Sequence, residues 1–373
     1  MANVYFNPTA QAVYSLWLKN KSGQYLAIFD AFSFLQYGRI ENDIGSMKLV
    51  IPVDSRAAFI QEDFVFEVWR KLPGRKTYLD GETEWRIREI KQTESAYGDE
   101  IEITAMDTME LLNRPVVAYP SGSSYTTKSG AAGTVMRAFV NENVGPGITG
   151  DRWIDRPFDS DYFSVEADKT LGAPVTITNA IGRKVIDVLQ DAAAQSNKAG
   201  TPMFFDVVRR GNGDLEFQTF AQQRGTDLRG KVTLSTKWGT LEEAAITQDF
   251  TQAFNIVHAA GGGQESDRLI ATASNPATAP FDTIEKFINT SQITSAGALQ
   301  DVADQELVTG GRRVILDGKI IDTAGLQYGV HYRFGSRVSC GIGGNAYSAR
   351  FSAIQITVQA GKETRRVGLT IDA

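Results

Sequence analysis

The side chains of this sequence that could do chemistry are few. Its two histidines, His258 and His331, lie in apolar or aromatic surroundings, with no partner at a catalytic or metal-ligand spacing. Both therefore read as packed or surface histidines. The single cysteine, Cys340, allows no intrachain disulfide and no multi-cysteine metal site. With no histidine beside it in a recognisable motif, it reads as a small buried hydrophobe. Paired carboxylates could do acid–base work, and the candidates are Glu242-Glu243, Asp159 with Asp161, and Glu100 with Glu102. The last pair is spaced i, i+2 on an alternating stretch, so both point to solvent; the others fall in expected loops. Among 44 acidic residues such pairs arise by chance. No G-x-S-x-G nucleophile elbow is present. Gly261-Gly-Gly263 follows an expected strand but lacks the lysine and hydroxyl of a phosphate loop, so it reads as a turn, and Gly341-Ile-Gly-Gly-Asn345 reads as a hairpin loop. Arg312-Arg313 and Arg365-Arg366 read as solvated basic doublets. On this reading no residue is assigned a catalytic, cofactor-binding or metal-ligating role, and no cofactor is expected.

The elements that carry these residues are mostly strands. Val65, Glu67 and Trp69 alternate with Phe64, Phe66 and Val68, and Ile101, Ile103 and Ala105 alternate with Glu100, Glu102 and Thr104. That two-residue period marks half-buried antiparallel strands. The run Glu84–Ile90 changes phase midway, which predicts a bulge. Asp107 and Glu110 have capping-box spacing before Leu111-Leu112, and Pro115 ends the short helix expected there. Residues 116–250 change character. Helices are expected over 129–144 and near 180–197, the latter with Val185, Val188, Leu189, Ala192 and Ser196 on one stripe. A hairpin follows over 203–220, turning at Asn212-Gly213. Strands return from about 250, with one amphipathic helix over 294–308 and a final meander over 347–371. Trp17, Phe64, Phe66, Trp69, Trp85, Phe204 and Phe205 are interleaved with strands and read as core, not as a stacking groove.

The 373 residues suggest two to four domains. The 42% hydrophobic and 22% charged residues are ordinary for a globular chain. A net charge of −6 argues against a non-specific nucleic-acid binder, which needs a basic face for phosphates. The N-terminus lacks the basic and unbroken apolar regions of a signal peptide, and no stretch reaches the ~18 apolar residues of a membrane span. Synthesis in a cytoplasm without export by that route is the expectation.

Several local patterns resemble the tail-hub, or minor tail, proteins of long-tailed phages. They are Gly38–Pro52; Trp85-Arg-Ile-Arg-Glu-Ile90; Ile103-Thr-Ala-Met-Asp107 with Leu111–Val116; and Ala132–Asn143 with Asp151-Arg152. Further along come Phe204-Phe-Asp-Val-Val208, Leu215–Thr219, Arg224-Gly-Thr-Asp-Leu-Arg229, Asn255–Arg268 and Tyr328–Val338. Their order covers nearly the whole chain. Gly335-Ser-Arg337 departs from the Gly-Asp that often precedes the strand in such proteins. The resemblance implies a mainly β fold with an α+β insertion: two tube-type β-barrel-like domains, 1–115 and 251–373, flanking a middle region, 116–250. It also implies a homotrimer whose six barrels make a pseudo-sixfold ring at the virion tail tip. Its expected partners are a hexameric distal tail or tail-tube ring, the tape-measure protein, fibre or spike proteins, and DNA passing through the lumen unbound. Because the chain ends at Ala373, directly after the last strand, no wall-cleaving or fibre extension is expected. A tail-associated cell-wall hydrolase and a β-rich carbohydrate-binding adhesin are the alternatives. The first would need a catalytic histidine, cysteine or carboxylate pair in a cleft, the second an exposed aromatic groove.

Overall fold

A computed structural model of the chain describes residues 12–371 apart from 95–97, 120–126, 146–161, 179, 252, 276–281, 292, 310–312 and 324. Strand exceeds helix, 47% to 16%, so the protein is mainly β, as the alternating sequence requires.

The N-terminal block holds β1 (Val13–Lys19), β2 (Tyr25–Phe29), β3 (Phe34–Ile40), β4 (Ser46–Pro52), β5 (Val65–Lys71), β6 (Tyr78–Leu79), β7 (Trp85–Thr93) and β8 (Glu100–Met106), then a short α1 (Glu110–Asn113). The middle region holds β9 (Lys128–Ala131), α2 (Ala132–Asn143), β10 (Phe163–Val165), β11 (Pro174–Ile177), α3 (Val185–Lys198), β12 (Met203–Arg209) and β13 (Leu215–Ala221). After them come β14 (Thr233–Ser235), β15 (Leu241–Asp249), β16 (Ile256–Ala260), β17 (Ile270–Ser274), β18 (Glu285–Asn289), α4 (Ala296–Thr309), β19 (Arg313–Ile320), β20 (Arg337–Ile342), β21 (Asn345–Gln359) and β22 (Lys362–Ile371).

The phase change seen in the sequence is a register shift between Ile87 and Glu89, where β7 pairs with β8. The expected capping box is half made. The Asp107 carboxylate accepts the Met109 N–H at 3.1 Å, but the Glu110 carboxylate turns to Arg88 and Arg114. The helix expected from 129 begins at 132, because Lys128–Ala131 pairs with β11 as a strand instead.

Strands from both ends of the chain join in one 14-stranded sheet, ordered β15-β19-β22-β21-β3-β4-β8-β7-β5-β1-β2. The junction is the antiparallel pair β21–β3, from Ala353 opposite Ile40 to Gln359 opposite Phe34. One core runs beneath both ends and joins Leu16, Phe66 and Trp85 to Leu316, Phe351 and Tyr332. Each such side chain contributes about 1.5–3 kcal/mol by leaving water. Among the described residues no strand pairing closes either end into a barrel; β3 pairs instead with β21 of the other block. The expected boundary lies at residue 250. β14 and β15 precede it yet belong to the large sheet, and β16–β18 with α4 follow it yet form a small unit with its own core. That unit is inserted between the paired strands β15 and β19. The middle region packs α2 and α3 against β10-β13-β12 and β9–β11 around a third core.

The large sheet contains the same strand order twice. In the first half it is β3-β4-β8-β7-β5, in the second β15-β19-β22-β21-β20, with every pair antiparallel. Both halves place a register shift on the corresponding strand, Ile87/Glu89 in β7 and Phe351/Ala353 in β21. In both, pairing with the preceding strand stops just before it, at Arg86 and at Arg350.

Candidate functional site

The residues weighed for chemistry are scattered. His258, on the small sheet, has Nδ1 3.0 Å from the Thr272 hydroxyl, and the His331 Nδ1 accepts the Gln327 N–H at 2.9 Å. Cys340 is buried in the main core, and burial pushes its thiol up to about 11. Glu242 and Glu243 lie on β15, not in a loop, and pair with Lys319 at 3.3 Å and Arg366 at 2.8 Å. Glu102 pairs with Lys48 at 2.9 Å. Asp159, Asp161 and Arg312 lie outside the described residues. Arg365 is not solvated as expected: it is largely buried and ion-paired to Asp322 and Glu363. Among the described residues no group of three or more His, Cys, Asp or Glu could hold a metal ion.

What the fold does bring together is charge, at three buried junctions between blocks. The first joins five of the patterned segments. Arg39 on β3 donates to Asp206 on β12 at 2.5 Å and to the Gly81 carbonyl at 2.6 Å, and its Nε lies 3.5 Å from Asp107. Arg224 donates to the same Asp206 and lies 3.3 Å from Glu82. Phe334 lies beneath both guanidinium groups, at 5.2 and 5.5 Å from its ring centre. Burial works to raise the Asp206 carboxyl, but Arg39 and Arg224 overcome it and hold the group below the ordinary carboxylate range. Burial lifts Asp107 to about 6, because the longer Arg39 contact and backbone N–H groups do not offset it and Asp206 is a like-charged neighbour.

The second junction centres on Arg70 of β5, which is fully buried. It donates to the Tyr14 hydroxyl at 3.0 Å, the Tyr78 hydroxyl at 2.7 Å, the Tyr328 carbonyl at 3.2 Å and Glu363 on β22 at 2.5 Å. Beside it the Tyr37 hydroxyl donates to Asp80 at 2.5 Å. In the third, Glu67 is ion-paired with Lys19 at 2.9 Å and with Arg209 of β12 at 2.8 Å, and Glu84 accepts hydrogen bonds from Lys19 and the Tyr162 hydroxyl. This junction covers the second face of β1 and β5. Residues 65–68 of β5 are consequently all buried, where the alternation predicted one face in water. Trp17 and Trp69 are half-buried against each other and Tyr25, not core.

Glycines let the backbones close around these charges. A Cβ on Gly45 would stand 2.4 Å from the Gly38 carbonyl and 2.6 Å from the Asp107 carboxylate. A Cβ on Gly225 would stand 2.6 Å from the Ser336 nitrogen, where the Arg224 segment packs on the Gly335-Ser-Arg337 segment. Of the charged members only Asp107 stands out in the sequence, as a helix cap and not as an ion-pair partner. The available signal was a charge inside an apolar strand, as in Phe204-Phe-Asp206-Val-Val208 and Val65-Phe-Glu67-Val68.

Several sheet edges stay open among the described residues, including that of β2, which pairs only with β1. Along β15 only β19 pairs, and beyond the register shift Glu89–Thr93 of β7 has only β8, among the described residues. Ile90 on that edge is 41% exposed, whereas its counterpart Ile354, flanked by β3, is 6% exposed.

Buried charges thus join the N-terminal, middle and C-terminal blocks, and β15 and the far half of β7 are among the strand edges left open. The fold of the chain is that of phage tail proteins. It resembles the 43 kDa tail protein of prophage MuSo2 from Shewanella oneidensis at TM-score 0.57 and 12% identity, over 95% of this chain and 98% of that one. It resembles a tail protein from Neisseria meningitidis MC58 at TM-score 0.56 and 14% identity, over 96% and 97%. The chain belongs to the Siphovirus ReqiPepy6 Gp37-like protein family, whose model matches residues 14–371. No curated protein matches it.

Proposed function

We propose that this protein is a structural tail-tip hub without enzymatic activity. Three copies form a ring that closes the tail tube, docks on a hexameric distal tail or tail-tube ring, and carries the host-recognition parts. The observation that carries this reading is the doubled five-strand order. A chain with two alike units presents six to a neighbour when three copies assemble, which reconciles threefold with sixfold symmetry. Buried ion pairs between blocks suit such a part, because they fix the angle between the units more than they stabilise them.

The tape-measure protein and DNA pass through the ring's lumen without specific binding. On the sheet face opposite the core, Lys48, Lys319 and Arg366 are each held by a carboxylate, which weakens their grip on phosphates. Reconstruction of the tail tip tests the assignment. The expected result is three copies just beyond the last sixfold ring, and six copies or a lateral fibre position would overturn it. Purified protein added to host cell wall should release no soluble fragments, and clearing abolished by one acidic or histidine substitution would overturn the non-enzymatic part.

A further inference from the structure

We infer that the contact between copies is a strand pair, with residues 89–93 of β7 in one copy lying antiparallel to β15 of the next. The inference rests on the ring reading above and specifies its seam. The template is inside the chain. β21 continues past its register shift by pairing Ala353–Gln359 with β3, the first strand of the other repeat. β7 continues past the corresponding shift with no such partner among the described residues, and β15, which occupies the place of β3, has its outer edge open. Each half of the chain therefore holds one side of a junction that the β21–β3 pair already displays whole.

The register follows from the shared shift. Phe351 opposite Leu369 corresponds to Ile87 opposite Ala105. Counting outward, Thr370 falls on Met106, Ile315 on Ser46 and Thr247 on Gly38. The internal pairs Gln355–Gly38 and Thr357–Gln36 then transpose to Lys91–Thr247 and Thr93–Ala245 between copies. Lys91, Thr93, Ala245 and Thr247 are all exposed in the single chain. In the same register Ile90 comes to lie beside an incoming strand, as Ile354 lies beside β3, which accounts for a large apolar side chain left in water. Open edges of this length otherwise pair indiscriminately, and closing them against identical copies removes that hazard.

The test uses the full chain carrying Lys91→Cys and Thr247→Cys together, oxidised and run on a non-reducing denaturing gel, beside mass measurement of the unmodified protein across a concentration series. Directly opposed strand residues lie within the ~4.4–6.8 Å Cα separation that a disulfide tolerates. A covalent species of three chains is expected, and a two-chain species when the two single variants are mixed; either supports the seam. A sample of trimeric mass that gives no crosslink at this pair overturns the seam and leaves the ring reading standing. Crosslinks that climb past three chains support the seam and overturn the closed trimer. A monomer at every concentration without crosslink overturns both.

Discussion

At the scale of single residues, the charges that matter are the ones removed from water. Arg39 neutralises Asp206 and faces Asp107, so Arg39→Leu leaves Asp107 without its cation. Breaking one side of a buried pair costs about 3–5 kcal/mol, and denaturant unfolding at neutral pH should read a loss of that size. Asp107 makes a second test. Its folded pKa, about 6, lies above the unfolded carboxyl value. The protonated form is thus favoured by folding. Its contribution is complete below about pH 4 and is lost as pH rises through about 6. Asp107→Asn keeps a neutral group of the same shape. Relative to the parent it should gain on the order of 2–3 kcal/mol between pH 4 and pH 8, from a shift of about two pH units. Thermal midpoints of both proteins across that range check it, and a constant difference between them would refute it.

At the scale of elements, the β3–β21 junction decides how the two halves sit. Gly38 is required because a Cβ there would approach the Ile354 carbonyl to 2.8 Å, on the strand that must lie alongside. Gly45, in the following turn, is tighter still. Gly38→Ala should cost about 1–3 kcal/mol through forced backbone shifts, and Gly45→Ala at least as much, both read as lowered unfolding midpoints. The pairing of these elements was only partly legible. Val65–Lys71, Glu100–Met106, Met203–Arg209 and the hairpin to Leu215–Ala221 announce themselves by alternation and turn residues. The insertion of β16–β18 with α4 between β15 and β19 did not, because nothing in local periodicity says which of several strands a given edge will choose.

At the scale of the whole molecule, the protein is a pair of alike units joined by strand pairing and braced by buried charge. Ile90→Asp should leave the single chain's unfolding midpoint nearly unchanged, because the side chain is already 41% exposed. If the ring closes through this seam, the substitution should also abolish the three-chain species expected in mass measurement, because the apolar contact there is replaced by a charge. A variant that still trimerises at the parent's concentration would contradict the β7 edge as the seam.

By itself the sequence determined the class of the fold, the scarcity of groups for chemistry, and the segments that carry the tail-protein resemblance. Those properties live in composition, in two-residue alternation and in the ordered spacing of glycines and charges along the chain. It did not disclose that Arg39, Asp107, Asp206 and Arg224 meet, nor that Arg365 is buried, because charges far apart in sequence become partners only when packing excludes water from them together. The doubled strand order was equally silent. The two halves share backbone pairing and a bulge with few matching side chains, Arg86 with Arg350 and Ile90 with Ile354 among them, and hydrogen bonds between strands do not depend on which residues make them. Only the tertiary structure decided that β3 lies against β21 while the matching edges of β7 and β15 remain open.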